Sequence, residues 1–192
     1  MLKELSYSES FAPEYSSLTR AAHLMLHSRL PERQVFGTPS QHAVLMGLRF
    51  DGCLGFIGGL IDADDASVEA GLAREIREEI GAELAPTKEH FLCAHVNLDS
   101  GIVLYFYTMS VPQELFCSIE KAAAAWHDHG HETLGCVRVP CYRLASNPML
   151  GIVAFMRHNF VGNARQQLAA GLVRAEAFTA EEMRQILLDA EH

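Results

Sequence analysis

Two neighbouring glycines, and a run of glutamates that begins sixteen residues after them, constrain this chain more than any other feature. Gly58-Gly59 is followed by Leu60-Ile61-Asp62-Ala63-Asp64-Asp65, then by Ala66 to Ala73, then by Arg74-Glu75-Ile76-Arg77-Glu78-Glu79-Ile80-Gly81. At about 100° per residue, Val68, Leu72, Ala73, Ile76 and Ile80 share one apolar stripe, so a helix is predicted from about Val68 to Ile80, stopped by Gly81. Glu75 and Glu79 stand four apart, one turn above the other, at the edge of that stripe, with Arg77 on the far side. Two carboxylates held against a buried face repel each other and lose solvation, which calls for a positive partner. Mg²⁺ or Mn²⁺ suits them, since hard cations take carboxylate oxygens together with substrate phosphates. Glycines without side chains let backbone approach a phosphate or a metal, and Arg74 is placed to orient the carboxylates. A charged helix alone is commonly a solvated face, and a glycine pair alone is weak. Their order and spacing together carry the reading.

The rest of the chain is read as one domain over residues 1–192, with residues 1–16 as a flexible polar leader. Hydrophobic residues make up 49% and charged residues 20%, a globular profile. No apolar run reaches the roughly 18 residues needed to cross a bilayer, and the first residues lack a signal-peptide pattern, so an intracellular protein without a membrane partner is expected. The five cysteines (Cys53, Cys93, Cys117, Cys136, Cys141) form no C-x-x-C pair and are expected as reduced, mostly buried thiols. A formal charge of −9, with lysine only at positions 3, 88 and 121, argues against general nucleic-acid affinity. Any RNA should be gripped locally, at one end.

Helical spacing in Leu18, Ala22, Met25 and Leu26 predicts a helix over 17–30, and turn residues predict a loop over 31–39. Strands are predicted over 43–50, 53–56, 91–97, 102–111 and 134–139, with a loop holding Gly58 and Gly59. Further helices are predicted over 112–126, 151–171 and 179–190. The mixture implies an α/β layered domain.

The box resembles the Nudix signature, G-x5-E-x7-R-E-(apolar)-x-E-E-x-G-(apolar). Arg74, Glu75, Ile76, Glu78, Glu79, Gly81 and Ala82 match its second half; Asp65 stands where glutamate is usual, with one extra residue before Arg74. Asp65 is equally placed to cap the helix. The run from Met46 to Gly59, Asp128-His129-Gly130 with Glu132, Val137 to Pro140, and Asn159 to Gly162 leading to Gln167 are similar to the animal snoRNA-decapping Nudix enzymes. The likeness runs from about His23 to Leu172, with Ile57 in place of that group's proline. It implies a Nudix-type α/β/α sandwich with a mixed sheet, and hydrolysis of a nucleoside diphosphate such as (d)IDP or of an RNA cap. It also implies a homodimer, in nucleus, nucleolus or cytoplasm. By the same resemblance, Glu75, Glu78, Glu79 and Arg74 are catalytic, and Gly58, Glu75, Glu79, His95 and Glu132 hold metal. His23, Arg49, Phe56 and Gln167 bind the nucleoside.

Taken only as residues, His95 is equally a core strand histidine, and Glu132 a surface carboxylate. Phe56, His23 and Gln167 have equally plain roles in core and surface. The stretch from His127 to His131 is read as a polar loop, because a zinc site draws ligands from more than one segment. A non-catalytic binding module is the competing function. Retention of all three box glutamates argues against it.

Overall fold

A computed structural model describes residues 2–126 and 129–191. Its strands are β1 (Leu2–Leu5), β2 (Thr19–Val35), β3 (Thr38–Arg49), β4 (Leu54–Gly55), β5 (Ile57–Ile61), β6 (Phe91–Asn97), β7 (Ile102–Ser110), β8 (Thr133–Arg138), β9 (Arg143–Leu144) and β10 (Asn147–Gly151). Its α-helices are α1 (Val68–Ile80), α2 (Gln113–Ala122), α3 (Ile152–Phe155), α4 (Ala164–Arg174) and α5 (Ala180–Ala190). The main sheet runs β1-β6-β7-β2-β3-β4, with β5 also paired to β2 and β8 to β3. It is mixed, since β2 lies parallel to β7 and antiparallel to β3 and β5.

Side chains alternate across that sheet and build two cores. Ala22, Leu24, Ala94, Val96, Val103 and Tyr105 face Leu72 and Ile76 of α1 and Phe116 of α2. Met25, Cys93 and Phe106 face the other way, against Ile152 of α3, Leu168 and Leu172 of α4, and Met183 and Ile186 of α5. The result is the expected α/β/α sandwich, with a central sheet covered on both faces.

Several expectations are corrected. Residues 17–30 are not a helix: Ala21, Ala22, Leu24, Met25 and Leu26 are all 4% exposed or less, buried on both faces of strand β2. Residues 31–39 are not a loop but continue the hairpin, which turns at Phe36 and Gly37 with positive φ (47° and 78°). The β2–β3 register shifts between Arg29 and Arg33, where Pro31 removes a ladder donor. The leader is not free chain, because Leu2–Leu5 pairs antiparallel with Val96, His95 and their neighbours on β6. The single late helix is two, with a break in which Gly162 takes a φ of 51°. Gly58 and Gly59 lie in strand β5 rather than in a loop. Helices α1 and α5, and strands β3, β6, β7 and β8, stand within a few residues of their predicted spans.

Candidate active site

Helix α1 is fixed at three points. Ser67, rather than Asp65, is its N-cap and accepts from the Ala70 N–H at 3.1 Å. Buried Glu69 accepts the Tyr107 hydroxyl proton at 2.9 Å, which ties the first turn to β7. Gly81 closes the helix in the left-handed region (φ 66°), its N–H donating to the Arg77 carbonyl.

So anchored, α1 lays its carboxylates along β5. Gly58, at φ 130°, pairs with His23 of β2, and a Cβ there would strike the Ala22 carbonyl. Its N–H donates to Glu79 Oε2 at 2.8 Å. A Cβ on Gly59 would overlap the Glu75 carboxylate, so the missing side chain makes room for that group. Burial pushes the Glu75 carboxyl above its ordinary value, Arg74 opposes this, and Glu78 and Asp62 add to the rise.

Arg74 is the hub. It donates to Glu75 Oε1 (2.7 Å), Glu78 Oε2 (3.1 Å), Asp65 Oδ2 (3.0 Å) and the Leu60 carbonyl (3.1 Å), and pairs with Asp62 at 3.2 Å. The Arg74 guanidinium holds Asp65 below the usual carboxylate range. Asp65 also accepts the Asp62 N–H at 2.8 Å, so its role is to brace Arg74 and the box loop. The Glu78 side chain is 57% exposed, the freest of the three box glutamates that reach Arg74 or Gly58.

Beside Glu79, Arg49, Phe56, Gly58, Trp126 and Glu132 line a cavity of about 30 Å³, the volume of one water. Arg49 donates to Asp51 at 3.2 Å, and its charge, after burial, helps press His23 down to about 4. Phe56 packs on Phe106 with ring centroids 4.8 Å apart. Gln167 on α4 belongs to the same core as Phe56 by its neighbours Ala164 and Leu168; it is 4% exposed and its Nε2 has no partner among the described residues. The turn before α4 is drawn in by Leu54, which exchanges backbone bonds with Asn159 and Val161.

The structure thus brings Arg49, Phe56, Gly58, Glu79 and Glu132 to one cavity, with Glu75 and Glu78 joined through Arg74. It does not bring His95 there. His95 pairs with Leu104, so β7 and β2 separate it from β5, roughly 14 Å across three strand spacings. Ala94 and Val96 face α1, and alternation turns His95 to the opposite face. Its Nδ1 is buried without a partner, and burial lowers its pKa while Glu4 opposes. His95, expected as a metal ligand, thus stands on another strand and face from the Glu79 cavity.

Trp126 is the lining residue that sequence reasoning missed. It is 6% exposed, its Nε1 has no partner among the described residues, and its being the sole tryptophan was the available signal. His127 and Asp128 lie outside the described residues. Among the described residues, no three histidine, cysteine or carboxylate side chains form a ready metal cluster. A separate cavity of about 580 Å³, between Arg20 and the box loop, is lined by Asp62 and Asp65 but by none of the residues expected to act in catalysis, metal binding or nucleoside binding.

A mixed sheet between helical layers, with a glutamate-bearing helix against a glycine strand, has the architecture of the Nudix hydrolases. A Listeria innocua protein of the mutT/nudix family, solved as a crystal structure, superposes with a TM-score of 0.56 at 14% identity, over 87% of this chain and 97% of that one. Residues 20–178 match the family described as Nudt16-like: U8 snoRNA-decapping enzyme-like. The mouse U8 snoRNA-decapping enzyme is 38% identical over 88% of this chain and 86% of its own length. The mouse Tudor-interacting repair regulator protein is 33% identical over 98% of this chain and 89% of its own. The chain belongs to the Nudt16-like family and is a Nudix hydrolase.

Proposed function

We propose that this chain hydrolyses the diphosphate linkage of a nucleoside diphosphate of the (d)IDP type or of the 5′ cap of RNA, using Mg²⁺ or Mn²⁺. The observation that carries the reading is the pairing of Glu75 with Gly59 and of Glu79 with Gly58. Two carboxylates are held against one glycine strand, Glu75 in the space a Gly59 side chain would fill and Glu79 on the Gly58 N–H.

The donor set fits a hard divalent ion. Glu75 and Glu79 would supply carboxylate oxygens, Gly58 a backbone carbonyl next to its N–H contact with Glu79, and Glu132 lines the same cavity as Glu79. Desolvation of Glu75 favours a neutralising cation, and the glycine strand leaves space for one. A bound metal would neutralise charge on the diphosphate and lower the pKa of a bound water.

The chain's own groups do the positioning. Arg74 holds Glu75 and Glu78 in fixed orientation, leaving exposed Glu78 to align and deprotonate the attacking water. The water oxygen forms the new P–O bond, the bridging P–O bond breaks, and the leaving phosphate retains its electron pair. Arg49 clamps phosphate once it leaves Asp51, Phe56 offers a face to the base, and neutral His23 and the free Gln167 amide read base edges. A homodimer, and a nuclear, nucleolar or cytoplasmic setting, belong to the same reading; sedimentation and microscopy test them.

The test is hydrolysis of inosine and guanosine diphosphates, ADP-ribose and a short capped RNA with Mg²⁺ or Mn²⁺, beside Glu79→Gln. Nucleoside monophosphate or capped-nucleotide release, abolished by chelator and by the variant, is expected. A folded protein that cleaves none of them turns the assignment toward a binding module, and equal activity in Glu79→Gln removes Glu79 from the metal site. Steep loss of RNA turnover with salt would mark RNA over free nucleotide.

A further inference from the structure

Farther along β2, on the sheet face that carries His23, a second cavity of about 250 Å³ opens that the proposed reaction does not use. His27, Arg29, His42, Ser110, Arg174 and Glu176 line it. The register explains the grouping. His27 stands beside Ser110 of β7, and Arg29 beside His42 of β3. Helix α4 ends over them at Arg174, and Glu176 follows in the left-handed region (φ 56°), a conformation that a non-glycine residue rarely adopts. His27 lies four residues from His23, about 13 Å along the strand.

The lining of this cavity is rich in positive charge for an acidic chain. The protein carries a net −9, and Arg49, Arg74, Arg77, Arg138, Arg143 and Arg184 each pair with a carboxylate. Among the described residues Arg29 and Arg174 form no ion pair, yet both line one cavity in which Glu176 is the sole carboxylate. Two guanidinium groups against one carboxylate give the lining an excess of positive charge, which suits an anion.

We propose that this cavity binds a phosphate group, clamped by the Arg29 and Arg174 guanidinium groups and hydrogen-bonded by His27, His42 and the Ser110 hydroxyl. Guanidinium forks match phosphate oxygens, and a cavity of this volume admits a phosphate with an attached sugar. The two histidines make binding proton-linked. Burial, then His42, holds His27 down at about 4; burial, then Arg29, lowers His42, with Glu176 opposing. Both are therefore neutral at pH 7 in the empty cavity, and an anion between them raises both. Binding takes up a proton at His27 and tightens as pH falls through the raised, ligand-bound value toward 4.

The proposal does not depend on the hydrolytic reading. It is tested by histidine NMR titration of the full chain with chelator present, alone and with inorganic phosphate, a nucleoside monophosphate, or a short uncapped RNA. His27→Gln and His42→Gln assign the signals. Saturating ligand should raise the apparent His27 pKa by about one unit or more, as a tenfold preference for the charged form requires. Arg29→Gln/Arg174→Gln should abolish that response while leaving the His95 signal in place as a folding control. A response to inorganic phosphate identifies a free phosphate site. A response to RNA alone identifies a phosphodiester of a longer substrate. Titration curves unchanged by all three ligands, or a response retained in the double arginine variant, would overturn the proposal.

Discussion

The carboxylate of Glu75 occupies the space that a side chain at Gly59 would fill. Gly59→Ala should therefore displace Glu75 without touching its chemistry. Hydrolysis should fall by about 100-fold, in line with a misplacement of reacting groups by roughly 1 Å, while circular dichroism stays native. Full activity in this variant would show that Glu75 works from another position.

Arg74 donates to three carboxylates and one carbonyl, a task for a planar fork. Lysine at 74 keeps the charge but not the geometry. Arg74→Lys should lose at least about tenfold in kcat with little change in KM, because orientation rather than binding is removed. Steady-state kinetics separate the two; a pure KM effect would contradict the orienting role.

His95 should be dispensable for the chemistry. With two strands between it and β5, His95→Gln is expected to keep activity and metal affinity within about threefold, an energy change below 1 kcal/mol. Metal titration followed by activity or calorimetry reads this directly. A large loss of metal affinity would restore it to the site.

Acid should weaken the fold through His23 and His27. Both are held at about 4 by burial, against 6.5 for the unfolded chain, so the unfolded state binds more protons between those values. Their contribution is present above pH 6.5 and is lost as pH falls toward 4, on the order of 1–3 kcal/mol for each. Urea midpoints from pH 7.5 to 4.5 should drop, and less so in a His23→Gln/His27→Gln protein.

How far the sequence discloses this architecture depends on the burial of each element. Helix α1 has one apolar stripe and one charged face, so Val68, Leu72, Ile76 and Ile80 reveal both its span and its orientation. Strand β2 is covered on both faces; Leu18, Ala22, Met25 and Leu26 satisfy helical spacing only because nearly everything around them is apolar too. The box glutamates were legible because they crowd like charge on one face. His95 was not, since a residue's strand number does not reveal how many other strands will insert beside it. Trp126 and Glu132 reach the cavity across a fold that local pattern does not encode.

Strand β2 takes β7 along one side, and β5 and then β3 along the other. Its parallel pairing joins Thr19 with Ile102 and His27 with Ser110, partners more than eighty positions apart in the chain. During synthesis the centre of the sheet therefore cannot assemble until more than half of the chain has been made. Until then, Leu24, Met25 and Leu26 remain uncovered, a hazard for sticking to other chains. Late closure of this kind should slow refolding, and it makes the ribosome-bound nascent chain, rather than the finished enzyme, the stage at which a helper is needed.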